Sequence, residues 1–403
     1  MEILGHSAPG REQASRRSWY IAAWLTIGLS LLKTLRLPNS YASTHHVLDY
    51  RYGLIRRGLV GELARRVGSP WLYTHAWVST LSFAVLALEL WLLWRAVKDL
   101  IDTRDARLSA LTLVYTSSLA LVYAAHTVGY FDHLGLVFAL VALRLDSFGR
   151  KLAWIACAGT PLLFVHEATL VLFVPLAAFS ALASLDELRL DRRTGALAAV
   201  LLVQCVITYL IASRGMLTAE QAFAMRQAVL PKIDFEFDDT VFDSIVRSQD
   251  GGTVGKTLSS LGRGPYLLAN FDSLMIVAPS LITLLVVALR TCRAAGFSRW
   301  LRLAAGLGAL SPLLMHFLGS DMHRWDAIAL TTTFLVLHAA ALRWPRERPA
   351  ADSGSDGTTA DLPWMLALVA INASSMTFLF DGEHVRQYPF FELRHVLIEL
   401  LRR

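Results

Sequence analysis

Charge is scarce in this 403-residue chain: Asp, Glu, Lys and Arg make up 17% of it, where an ordinary globular domain carries about 25%. The shortage runs along the whole sequence, and no long segment is polar enough to form a soluble domain of its own. Cysteine is scarcer. Cys157, Cys205 and Cys292 stand far apart, two of them inside apolar runs, which argues against a disulfide framework or a cysteine metal cluster. HExxH, CxxC and Asp-rich triplets are missing, and no internal repeat is visible. "GGTVGKT" at 251–257 is one residue short of a phosphate-cradling Walker loop and follows no apolar strand, so it is rejected as one. "FDDT" at 237–240 lies in a loop and has no phosphate-binding partner sequence. The net charge of +6 does not argue for nucleic acid, because most arginines sit in short clusters between apolar runs.

What the chain has is apolar length. Hydrophobic residues form 55% of it, and crossing about 30 Å of hydrocarbon takes roughly 20 helical residues. The runs 19–37, 72–94, 109–125, 130–145, 152–165, 167–185, 195–213, 272–290, 301–318, 324–343 and 363–380 are candidate spans. The fold class is therefore an all-α polytopic bundle of about eleven spans. The first run, Trp19–Leu37, has no small-residue cleavage site after it and is predicted to be retained. The stretch Leu152–Leu185 is split at Pro161 and His166–Glu167. Residues 1–345 form the bundle with external loops 38–71 and 214–271; 346–362 is a flexible cytoplasmic linker, and 363–403 holds the last span and an external tail.

Lys and Arg set the orientation. With a cytoplasmic N-terminus, six consecutive inner connections are basic, among them Arg95/Lys98/Arg104/Arg107, Arg144/Arg150/Lys151 and Arg189/Arg192/Arg193. Histidines and acids, which played no part in that assignment, then sort to the outer ends. They are His45, His46 and Asp49; His126, Asp132 and His133; His166 and Glu167; Asp321, His323, Arg324 and Asp326; and Asp381, Glu383 and His384. Nine of the twelve histidines fall in or beside outer connections. Helix capping accounts for some of these groups. It does not account for His166–Glu167, which is nearly continuous with apolar sequence on both sides, where ionisable groups face a cavity or each other.

One outer segment breaks the basic-inside pattern: "THHVLDYRYGLIRRGLVGEL", Thr44–Leu63. Leu48, Tyr52, Ile55, Leu59, Leu63 and Val67 recur every three or four residues, which predicts an amphipathic interfacial helix, although Gly53, Gly58 and Gly61 weaken it. Its arginines are either snorkelling anchors or a phosphate-binding set made of Arg51, Arg56 and Arg57, with His45 and His46 beside them. Asp49 is either the helix cap or a general base for a hydroxyl nucleophile. The 214–271 loop, too long to be structureless, is predicted to form short surface helices, as a lid, an acceptor groove or a plain cap.

This layout resembles the C-type glycosyltransferases, polytopic enzymes with an acidic residue in the first external loop followed by interfacial helices. Asp49 in "HHVLDYRYGLIRRG" stands where that residue is expected, though alone, without a paired acid. The resemblance implies sugar transfer from a polyprenyl-phosphate donor to a glycan, lipid or protein acceptor, on the outer face of a bacterial inner membrane and by inversion. It implies Asp49 as catalytic residue. The sorting of polar groups adds Arg51, Arg56, Arg57, His45, His46, Asp132, His133, His166, Glu167, Asp321, His323 and Arg324 as candidate substrate-binding residues. Membrane lipids are expected partners and nucleic acid is not. No cofactor is evident, and divalent metal stays open. A polysaccharide polymerase is an alternative that uses the same arginines; a transporter or flippase would need mid-membrane charges and paired halves.

Overall fold

A computed structural model describes residues 9–185, 189, 191–246, 264–318, 321–343 and 361–374, with a two-residue strand pair at 378–379 and 385–386. The tail cluster Asp381, Glu383 and His384, the "GGTVGKT" stretch and linker residues 346–360 lie outside the described residues.

Apart from that strand pair the described chain is helical. Five helices are long and apolar enough to cross a membrane: His75–Ile101, Ala106–His126, Arg192–Arg214, Leu274–Ala294 and Met322–Arg343. Local chemistry sets their ends. Thr74 caps the first through Trp77 N, Asp105 caps the second through Arg107 N and Leu108 N, and Asp191 with Thr194 forms a capping box on the third. The Ala106–His126 segment is two helices meeting at Ser117–Ser118. Other apolar segments are shorter or interrupted: Asp132–Arg144, Phe148–Val165, Thr169–Ala183, Arg299–Leu310 and Asp361–Ser374.

The Phe148–Val165 stretch carries a π-helical turn at Ile155–Gly159 and ends at His166, whose backbone is extended. Gln204 of the Arg192 helix donates to Ile155 O at 2.7 Å, satisfying a carbonyl that the wider π turn leaves available. The chain thus breaks at His166–Glu167, where the sequence splits it; Pro161 sits within the helix.

Two segments run through the centre of the bundle: in their most apolar windows Ala106–His126 is 94% buried and Met322–Arg343 83%, against 17% for the Arg192 helix, which lies at the periphery. Ion pairs mark one end of the bundle. Arg144 and His338 both reach Asp99, while Tyr20, Arg16 and Lys98 reach Asp102. At the opposite end the main core gives way to a second, smaller one. Val47, Leu48, Ile55 and Tyr73 of the first loop pack there against Leu217, Ala222, Met225, Val229, Phe237, Val241 and Ile245. The long insertion does form short helices, Ala219–Val229 and the 3-10 turn Asp239–Ser244, laid over the first loop.

The amphipathic stripe of Leu48–Val67 is only half a helix. The helix runs Leu59–Val67, and the chain before it turns, with Gly53 at φ +135° and Arg57 at φ +60°. Gly61 explains the tight approach: a Cβ there would sit 2.1 Å from Leu48 O, so the helix rests directly on the preceding backbone.

Candidate functional site

The site is built from four chain breaks at that second end. The short helix Ser40–His45, capped by Asn39, folds back so that Ala42 to Asp49 are all buried. His46 Nε2 lies 3.0 Å from Gly129 O, so it carries hydrogen and donates, tying the first loop to the turn before the Asp132 helix. Gly129 is left-handed at φ +95° and packs on Pro38 and Ala42. His45 faces the other way, with Nε2 3.1 Å from Arg57 Nη1. Burial, and then the Arg57 charge, hold the His45 ring well below the usual histidine range; burial pushes His46 down to about 4.

Asp132 opens its helix and is buried. Arg324, two residues into the Met322 helix, donates from Nε to Asp132 Oδ2 at 2.5 Å and contacts the same oxygen through Nη2. His166 Nε2 lies 3.1 Å from Asp132 Oδ1 and 3.2 Å from Arg324 Nη2. Asp321 Oδ2 is 3.6 Å from Arg324 Nη1 and accepts from the Tyr123 hydroxyl at 2.9 Å through Oδ1. The Tyr130 and Trp325 rings flank the guanidinium at 5.1 and 4.7 Å.

Glu167 joins the two arginines. Its Oε2 is 3.9 Å from Arg57 Nε and 3.8 Å from His166 Nδ1, close enough for charge attraction and too far for hydrogen bonds. Four buried polar atoms around this point therefore lack a hydrogen-bond partner: Arg57 Nε, His45 Nδ1, His166 Nδ1 and Glu167 Oε2. Arg57, His45 and His166 line a narrow space with Arg324, closed by Gly129, Tyr130 and Phe131, and Glu167 reaches it only through Arg57 and His166. Arg57 also donates to the Tyr41 hydroxyl at 3.3 Å, and holds its left-handed backbone among these contacts. A group that accepts from Arg57 and donates to Glu167 would satisfy both.

The remaining candidates sit elsewhere. Asp49 is buried and takes both the Arg51 backbone N–H at 2.9 Å and its Nη2 at 3.0 Å. Arg56 donates to Ala212 O at 2.6 Å. These three hold the first loop and its cover. His133 points into the bundle, onto Glu89 Oε2 at 2.6 Å. His323 Nδ1 is buried without a hydrogen-bond partner. His316 pairs with Asp326 at 3.0 Å. Among the described residues no group of three His, Cys, Asp or Glu side chains could hold a metal ion.

Sequence reading missed Glu89, Tyr41, Tyr123 and Tyr130. For Glu89 a signal existed: a lone acid inside the apolar "LALELWLL" of a span. The tyrosines gave none, since tyrosine belongs at any membrane interface. Compared with known proteins, this chain matches no protein-family model, no curated protein and no solved structure.

Proposed function

We propose that the protein is an integral-membrane glycosyltransferase, moving a sugar from a polyprenyl-phosphate donor to an acceptor at the outer membrane–water boundary. The carrying observation is the set of four unsatisfied buried atoms around Arg57, in a site assembled from four helix breaks. A buried site in which two guanidinium groups supply N–H donors and the unsatisfied Glu167 carboxylate an acceptor, with Asp132 and Asp321 already engaged by Arg324, suits a phosphodiester leaving group and an attacking hydroxyl. In this reading Arg57 binds the donor phosphate. Arg324, already paired with Asp132, positions that acid and His166.

The resemblance puts the base at Asp49, but geometry favours Glu167. Asp49 already accepts two hydrogen bonds from Arg51, whereas Glu167 Oε2 accepts none and lies 3.9 Å from Arg57 Nε and 3.8 Å from His166 Nδ1, two residues that line the space where a hydroxyl would sit.

The Pro9–Leu32 helix and the five shorter or interrupted apolar segments complete the proposed eleven spans, their breaks being tolerated at membrane depth when buried in protein. Lys98, Arg144, Arg150, Lys151, Arg193 and Arg343 fall at the end opposite the site. The positive-inside rule then supports a cytoplasmic N-terminus and an external site, and a bacterial inner membrane is the setting that the resemblance implies.

The test is sugar transfer by purified protein in liposomes, offered a panel of short-chain polyprenyl-phosphate sugars. Transfer that disappears in Arg57→Gln supports the reading. Failure of every donor, with the protein folded, or transfer unchanged by Arg57→Gln, rejects it.

A further inference from the structure

Arg57 and His45 together fix a proton count. An arginine side chain only donates, so the His45 nitrogen facing it, Nε2 at 3.1 Å, carries a lone pair. The ring is then neutral, and its hydrogen lies on Nδ1, which is buried and bonded to nothing. Charge in the site is also spoken for. Arg57, Arg324 and, at longer range, Arg56 are opposed by Glu167, Asp132 and Asp321, the last 40% exposed. An anion entering the space next to Arg57 therefore finds no spare cation, and uncompensated charge in a water-poor site is costly.

We propose that an anion bound at Arg57 brings a proton with it: the anion takes over the guanidinium N–H now bonded to His45, and the freed Nε2 is protonated from solvent. The balance is simple. One Arg57 N–H···Nε2 bond is exchanged for an Arg57 N–H···O bond, one proton leaves bulk water, and one Nε2–H forms. The imidazolium then offers the anion a second donor.

The groups facing His45 agree with this. Its own helix contributes Tyr41 and His46, and the first loop contributes Arg57. The turn before the Asp132 helix contributes Tyr130, and the broken helix contributes His166 and Glu167. Arg324 closes the far side of the space, and the 3-10 turn packed on the Ser40 helix carries Asp239 and Asp243. With no ligand, burial and Arg57 keep the ring neutral. A bound anion cancels the second of these effects. The inference rests on the anion-binding role given to Arg57 above.

It is tested on full-length protein in nanodiscs, with an isoprenyl methyl phosphodiester as probe, whose single charge does not titrate near neutral pH. Titration calorimetry at pH 7 in two buffers of different ionisation enthalpy counts the protons. The expected result is uptake of roughly one proton per anion and a Kd that weakens by up to about tenfold per pH unit. His45→Gln is expected to bind without uptake. Absence of binding would overturn the anion site itself. Binding with equal heats in both buffers overturns the coupling and leaves the anion site standing. Uptake that persists in folded His45→Gln overturns the assignment to His45. Should that variant not fold, 15N-histidine spectra of the wild-type protein serve instead: one ring turning imidazolium on binding supports the proposal, and no change rejects it.

Discussion

Glu89, midway along one apolar helix, meets His133, in the first turn of another, at 2.6 Å inside the bundle. The other His133 nitrogen lies 3.0 Å from Thr127 O, which can only accept, so that nitrogen carries hydrogen and one further proton is shared with Glu89. The pair is neutral as a whole. Breaking it strands one member where water does not reach, so Glu89→Ala is expected to destabilise the protein by about 3–5 kcal/mol. The joint change with His133→Leu should recover part of that loss. Thermal unfolding in detergent, run as a double-mutant cycle, measures both, and a cycle with no coupling would refute the pairing.

The two candidate bases separate kinetically. Glu167→Gln is expected to lower kcat by about 100-fold or more while leaving donor KM within a few-fold. Asp49→Asn is expected to lower thermal stability, since it weakens the turn that Arg51 closes, with a smaller effect on kcat. The reverse pattern, an inactive but stable Asp49→Asn enzyme, would return the base role to Asp49.

Acid stability should show two windows. His46 falls from 6.5 to about 4 on folding, so the unfolded chain binds the extra proton first. Stability is complete above about 6.5 and erodes as pH drops toward about 4. Glu62 is held at about 2, against 4.5, by hydrogen bonds from Arg65 and Arg66. Its contribution is present above 4.5 and disappears as pH falls toward about 2. Unfolding curves across pH should lose the upper window in His46→Gln and the lower one in Glu62→Gln. Unchanged curves would reject the assignments.

Gly61→Ala is expected to cost about 1–3 kcal/mol, because its new methyl meets Leu48 O, a backbone atom that cannot swing away. Gly306→Ala, where the same methyl meets open space inside another helix, serves as the comparison without a clash and is expected to hold stability or gain up to about 1 kcal/mol. Equal stability of the two variants would show that the first loop does not rest on its own helix as described.

Orientation is checked on either side of the Arg192–Arg214 helix. In a cysteine-free background, a cysteine replacing exposed Glu220 should react with an impermeant maleimide added outside intact cells, and one replacing exposed Arg193 should not. The opposite labelling would invert the proposed topology.

Much of the site could be read from the sequence because two unrelated patterns agreed. Arg and Lys fixed which helix ends lie together, and His45, Asp132, His166, Glu167 and Arg324 then fell at the same end, where His45, His166 and Arg324 line one space and Asp132 and Glu167 brace it. The partnerships were not legible. Arg324 meets Asp132 across 192 positions, and no periodicity reports such a meeting. The first loop misled for a local reason. Its apolar residues keep helical spacing as far back as Leu48, but that spacing is equally met by a turn whose side chains bury on a second core. Gly53 and Gly58 hinted at the break, and Arg57, a non-glycine residue in the left-handed region, gave no hint.

The central position of the Met322 helix has a consequence for biogenesis. More than three hundred residues leave the ribosome before a segment around which they pack, and Asp132 and His166 are already inserted when Arg324 emerges. Until then Asp132 and His166 lack the guanidinium that joins them, so a chain stopped anywhere upstream of Asp321 is without the tie between two of its helix breaks.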